Sequence, residues 1–179
     1  MIRKILIALL LLIALPFVVA LFTAEEYSVS RSVTIARPRT EVFEYLKYLK
    51  NQDEFSKWAS MDPNMEKTFR GTDGTVGFVS AWKSTNKDVG VGEQEIMGIT
   101  PNERIDYELR FSEPFESKEK AYLITADAAN GTQVTWGFEG KMGYPMNMML
   151  WFMDFEALIG DDFNTGLQTL KQKLEQPQS

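Results

Sequence analysis

The chain of 179 residues carries 19 Lys and Arg against 25 Asp and Glu, a net charge of −6 that becomes −8 when Arg3 and Lys4 are set aside with an apolar leader. An acidic balance of this kind excludes a nucleic-acid partner, because phosphate binding draws on clustered basic side chains. Cys and His are both absent, so no thiol nucleophile, disulfide, imidazole base or Cys/His metal cluster can be built.

In chain order, the first element is an uninterrupted apolar run from Ile5 to Phe22, broken in composition only by Pro16. As a helix it would measure about 27 Å, close to the roughly 30 Å hydrocarbon core of a bilayer. Arg3 and Lys4 precede the run and Glu25 and Glu26 follow it. The positive-inside bias then predicts a single span with a cytoplasmic N-terminus and an extracytoplasmic domain. A cleaved signal peptide, leaving a secreted or periplasmic domain, is the alternative, with Val18 and Ala20 as the small-residue site. Residues 1–24 are thus expected to be an anchor or signal peptide, and residues 25–179 one folded domain.

Tyr27 to Ile35 alternates, with Val29, Val33 and Ile35 on one face, which predicts a half-buried strand. Pro38 opens a helical stretch to about Asn51, and Gln52 to Trp58 reads as a second short helix. Six strands follow near Met65–Arg70, Val76–Lys83, Val89–Thr100, Glu103–Ser112, Ser117–Ala128 and Thr132–Gly140. Turn chemistry separates them, including Pro101-Asn102 and Asn130-Gly131. After Tyr144-Pro145, Met149, Phe152, Glu156, Ile159, Phe163, Leu167, Leu170 and Leu174 recur at helical spacing and predict one long helix to about Glu175. The fold class expected from this order is α+β: a curved seven-stranded antiparallel sheet around a C-terminal helix, with two short helices after the first strand.

The stretch from Val29 to Trp58, with Ile35-Ala36-Arg37-Pro38 leading into Glu41-Val42-Phe43-Glu44-Tyr45-Leu46, resembles the opening of polyketide cyclase and lipid-transport proteins of the SRPBCC superfamily (START and birch-pollen-allergen-like). Ile99-Thr100-Pro101-Asn102-Glu103-Arg104-Ile105 is similar to the turn after that family's fourth strand. The resemblance covers roughly Tyr27 to Leu174 and implies a helix-grip fold with a deep apolar cavity between sheet and helix. Carriers, cyclases and chaperone activators share this architecture, so function must be argued from the site.

Alternation names the candidates for the lining. Phe78 and Trp82, Tyr107 and Leu109, and Trp136 and Phe138 point inward from three strands, and Trp58 comes from the short helices. Met149, Phe152 and Met153 would face them from the last helix, behind an entrance of Met142, Met146 and Met148. Met and aromatic side chains adapt to apolar ligands, although for each residue ordinary core is the competing reading.

Glu156 interrupts the apolar stripe; buried, it would need a partner such as Arg31 or Arg110, and otherwise it sits at the wet edge. Glu156 and Tyr107 are the weak candidates for catalysis. Asp161-Asp162 points to solvent rather than to a metal, and Gly90-Val91-Gly92 and Gly71–Gly77 lack the dinucleotide and phosphate-loop patterns. No metal or cofactor is expected. The leading expectation is membrane-tethered binding or transport of a lipid, isoprenoid or polyketide-like molecule. A cyclase or hydratase using the same cavity, and a protein-interaction module with an exposed apolar patch and a closed interior, are the alternatives.

Overall fold

The computed structural model describes residues 2–176. Helix α1 (Ile2–Ala20) leads into strand β1 (Glu26–Ile35), followed by helices α2 (Arg39–Leu46) and α3 (Lys57–Met61) with a 3-10 turn at Leu49–Glu54 between them. Strands β2 (Glu66–Arg70), β3 (Val79–Lys83), β4 (Val91–Thr100), β5 (Arg104–Glu113), β6 (Ser117–Ala128) and β7 (Gly131–Lys141) come next. A 3-10 turn at Met146–Trp151 and helix α4 (Phe155–Glu175) complete the domain.

The strands form one antiparallel sheet in the order β1-β7-β6-β5-β4-β3-β2. Hairpin connections make β2 to β7 neighbours in sequence order, and β1 closes the sheet beside β7. Gly131 is what turns the last hairpin: it has φ +133°, and a Cβ there would lie 2.1 Å from the Ile35 carbonyl oxygen. Register shifts at Val91/Gly92 and Ile96/Gly98 mark bulges in the β4–β5 ladder, a device that bends and twists a sheet. The pairings bring Glu26, Lys141, Ser117, Glu113, Val91, Lys83 and Glu66 to one end of the sheet. This is the end that α1 enters, called here the α1 end.

Alternation sorts the two faces. Val29, Val33, Ile35, Ile96, Ile105, Tyr107, Val134 and Trp136 are buried on the inner face. On the outer face Arg110 holds Glu93, Glu95 and Glu108 at 2.7, 2.7 and 2.6 Å. Helix α4 lies over β1 and β7, burying Phe163, Leu167 and Leu170. Gly166 permits the close approach, since a Cβ there would sit 2.9 Å from the Trp136 ring, and Trp136 stacks on Phe163 at 4.7 Å.

Several expected boundaries move. The strand expected from Val76 begins at Val79, because Gly77 takes a left-handed φ of +87° and leaves Val76 in solvent. The first helix ends at Leu46, and the second runs over Lys57–Met61 rather than Gln52–Trp58. The long helix starts at Phe155, not after Pro145: the Asp154 carboxylate accepts the Ala157 N–H at 2.9 Å and caps it there. Helix α1 is long and apolar enough to cross a membrane or to serve as a signal sequence, and only Ala20 of it is buried.

Candidate functional site

Beyond β1 a cavity of ≈ 280 Å³ remains between the inner face of the sheet and helices α3 and α4. One wall is a cluster of three rings, Trp58 from α3, Trp136 from β7 and Phe163 from α4, within 4.7–6.2 Å of one another. The facing wall pairs Trp82 of β3 with Phe111 of β5, edge to face at 5.8 Å. Leu109, Ala121 and Phe138 form the floor, and Leu49, Met65, Val89 and Ile159 complete the apolar lining. These residues belong to the half of the sheet nearest the α1 end, together with the β3–β4 loop that carries Asp88 and Val89.

Few polar groups reach the space. Gln94, buried on β4, donates from Nε2 to Gln52 Oε1 at 3.2 Å, and Ser56 is buried beside them. Asp53 and Lys67 form an ion pair at the rim, where Asp88 is exposed. The rim is held from outside the cavity. The Asp73 carboxylate accepts the N–H groups of Leu49 and Lys50 at 2.8 and 3.2 Å, which sets the turn carrying Leu49 and Gln52. Lys57 pairs with Asp162, fastening α3 to α4 and holding Trp58 against Trp136 and Phe163.

Of the residues named from sequence, Trp58, Trp82, Leu109, Trp136 and Phe138 come together around the cavity. Phe78 and Tyr107 are packed into the core beside it and do not border the space. Burial, with the charges of Asp73 and Asp106 adding to it, pushes the Tyr107 phenol up, and its hydroxyl has no hydrogen-bond partner among the described residues. Met146, Met149, Phe152 and Met153 lie outside the cavity, because the chain before Asp154 is a 3-10 turn rather than a continuation of α4. Met142 and Met148, expected at the entrance, also stay off the lining. Glu156 is exposed and pairs with Arg31 at 2.6 Å, which holds the guanidinium further into its charged range.

Sequence reading passed over the Gln52–Gln94 pair, although the parity of Gln94 with Ile96 along β4 placed it inward. It also passed over Glu119. This residue shares the inward parity of Ala121 and Leu123 on β6, is buried, and accepts the Lys141 N–H at 2.8 Å. Burial raises its carboxyl above the ordinary range, and burial together with the Glu119 charge pushes the phenol of nearby Tyr27 up to about 12. No group of three side chains able to hold a metal occurs among the described residues.

Comparison with solved structures shows the fold. Protein MLL2253 from Mesorhizobium loti is similar over 86% of this chain and 100% of its own, with a TM-score of 0.60 at 15% identity. The Aha1 dimer from Colwellia psychrerythraea matches over 86% and 99%, at 0.59 and 13%. Protein CV1439 from Chromobacterium violaceum matches over 83% and 97%, at 0.58 and 13%. No curated protein sequence matches the chain. The inner-face parity, the helix laid on β1 and β7 and the apolar hollow beside it accord with a family match over residues 26–175, and the chain belongs to the polyketide cyclase / dehydrase and lipid transport family.

Proposed function

We propose that this protein is a membrane-tethered binding domain that takes a hydrophobic small molecule, or one end of a longer apolar chain, into the space between α3, α4 and strands β3 to β7. The observation that carries the reading is the cavity itself: two aromatic walls around ≈ 280 Å³, with Gln94 and Ser56 as the buried polar residues on its lining. That volume lies just below the usual range for ligand sites, which begins at about 300 Å³. The apolar helix α1 supports the tether, since it would hold the domain beside the phase in which such molecules dissolve.

Binding is favoured over turnover by what borders the space. Gln52, Gln94, Ser56 and Ser80 orient a ligand through hydrogen bonds but do not exchange protons near neutral pH, and the titratable residues of the lining, Asp53, Lys67 and Asp88, stand at the rim, where Asp53 and Lys67 pair with each other. Tyr107 and Glu156, the two residues with proton chemistry named from sequence, lie in the packed core and in solvent respectively.

The test is native mass spectrometry of the full chain purified in detergent, beside the variant Ala121→Trp. Ala121 is buried in the cavity floor, so the indole would occupy the space. A hydrophobic molecule that co-purifies with the native chain and is lost from the variant is the expected result. Equal loading of both would place the molecule elsewhere and discard the reading.

A further inference from the structure

Helix α1 does not run freely into the domain. Its last residue, Ala20, is buried, and the carbonyls of Ala20 and Thr23 accept the two amide protons of Asn147, at 2.8 and 3.2 Å. Asn147 is itself 1% exposed. The link after the helix is tied at both ends: Thr23 returns its hydroxyl to the Val19 carbonyl at 3.1 Å, and the Glu25 carbonyl accepts the Met142 N–H at 2.7 Å. The end of α1 is therefore fastened to the turn that contains Asn147.

That turn presents apolar side chains outward. Phe152 is 83% exposed, Met146 50% and Trp151 42%, and Phe22 at the helix exit is 86% exposed. Phe115, on the β5–β6 hairpin at the same α1 end, is 74% exposed. Aromatic and Met side chains at this density are costly in water and are at home in the interfacial layer of a bilayer, where Trp is enriched.

We infer that the Met146–Met153 segment is a shelf lying in the headgroup layer of the membrane that α1 crosses, held at that depth by the Asn147 amide. The inference rests on the membrane-tethered reading of α1. The occupant is the lipid surface because the shelf is continuous with a helix that is apolar from Ile5 onward and of which only the last residue is buried. The surface it fits is zwitterionic: on the shelf and at the α1 end Glu25, Glu26, Glu66, Glu113, Glu116 and Asp154 outnumber Lys83, Lys118 and Lys141, so anionic lipid is not favoured. A consequence for the cavity follows from the sheet register. Phe111, Trp82 and the β3–β4 loop lie toward the α1 end, so a seated shelf brings the opening toward lipid rather than toward bulk water.

The chain lacks Cys, so a single introduced thiol can carry an environment-sensitive dye. Full-chain Phe152→Cys, Leu12→Cys and Asn130→Cys, one protein per phosphatidylcholine nanodisc, would be read with nitroxide lipids labelled near the headgroup or deep in the acyl chain. Dye at 152 should lose roughly half or more of its emission to the shallow nitroxide, dye at 12 to the deep one, and dye at 130, in the hairpin at the far end, to neither. Asn147→Ala should weaken quenching at 152 in the Phe152→Cys background and leave quenching at 12 unchanged in the Leu12→Cys background. Quenching at 12 without quenching at 152 would overturn the shelf and leave the tether standing. No quenching at 12 would overturn the tether and the shelf with it. Blue-shifted emission at 152 that ignores both nitroxides would show the segment covered by protein, which also overturns it, and so would insensitivity of 152 to Asn147→Ala.

Discussion

Glu119 enters the inner face of the sheet between apolar neighbours, directly across from Leu109 and two residues from Ala121. Its raised pKa means that the folded chain binds its proton more tightly than the unfolded chain does. The stability linked to this residue is thus full below the ordinary carboxylate pKa and declines as pH rises through the raised folded value. Glu119→Gln keeps an oxygen for the Lys141 N–H while removing the charge. Thermal melts of the two proteins should coincide near pH 4 and separate toward about pH 8, with the Gln variant melting higher. A variant that melts lower toward about pH 8 while matching the native chain near pH 4 would show that the carboxylate is needed as a charge.

At the scale of elements, helix α4 depends on where it starts. Asp154 satisfies the Ala157 N–H, and a cap of this kind is worth about 1 kcal/mol, so Asp154→Ala should lower stability to denaturant by that amount. An unchanged midpoint would indicate that packing of Phe155 on Tyr27, at 5.1 Å, sets the start instead. The same cap explains what could and could not be read from sequence. Alternation located the strands to within about three residues, because period-two patterning is written locally in runs such as Ile105–Phe111. The apolar stripe of α4 was legible from Ile159 onward, but continuing it back through Met149 and Phe152 overlooked that one Asp before a helix-forming run stops the pattern. Five of the expected lining residues sit on strands or at a helix face that faces the sheet, where parity decides direction. The five Met and Phe residues of the 146–153 segment had only the assumed helix to orient them. The Gln52–Gln94 bond joins positions 42 apart, which no local pattern reports.

For the whole molecule, the division of labour across the sheet has a dynamic side. The β1–β7 half is closed by α4 and by the stacked Trp136 and Phe163, while the far half ends in β2, which has five residues and a ladder to β3 alone. Four of those five residues are exposed, among them Glu66, Thr68, Phe69 and Arg70. Yet Met65 and Lys67, at the beginning of this strand, also border the hollow. A short ribbon with one neighbour is where local opening costs least. Hydrogen–deuterium exchange should therefore be fastest along β2 among the seven strands and slowest in β6 and β7. Uniform protection would mean that the sheet opens only as a unit. If β2 peels first, the hollow gains a second mouth at the edge of the sheet, and a ligand bound as proposed would come and go at the pace of that fraying rather than of any movement of α3.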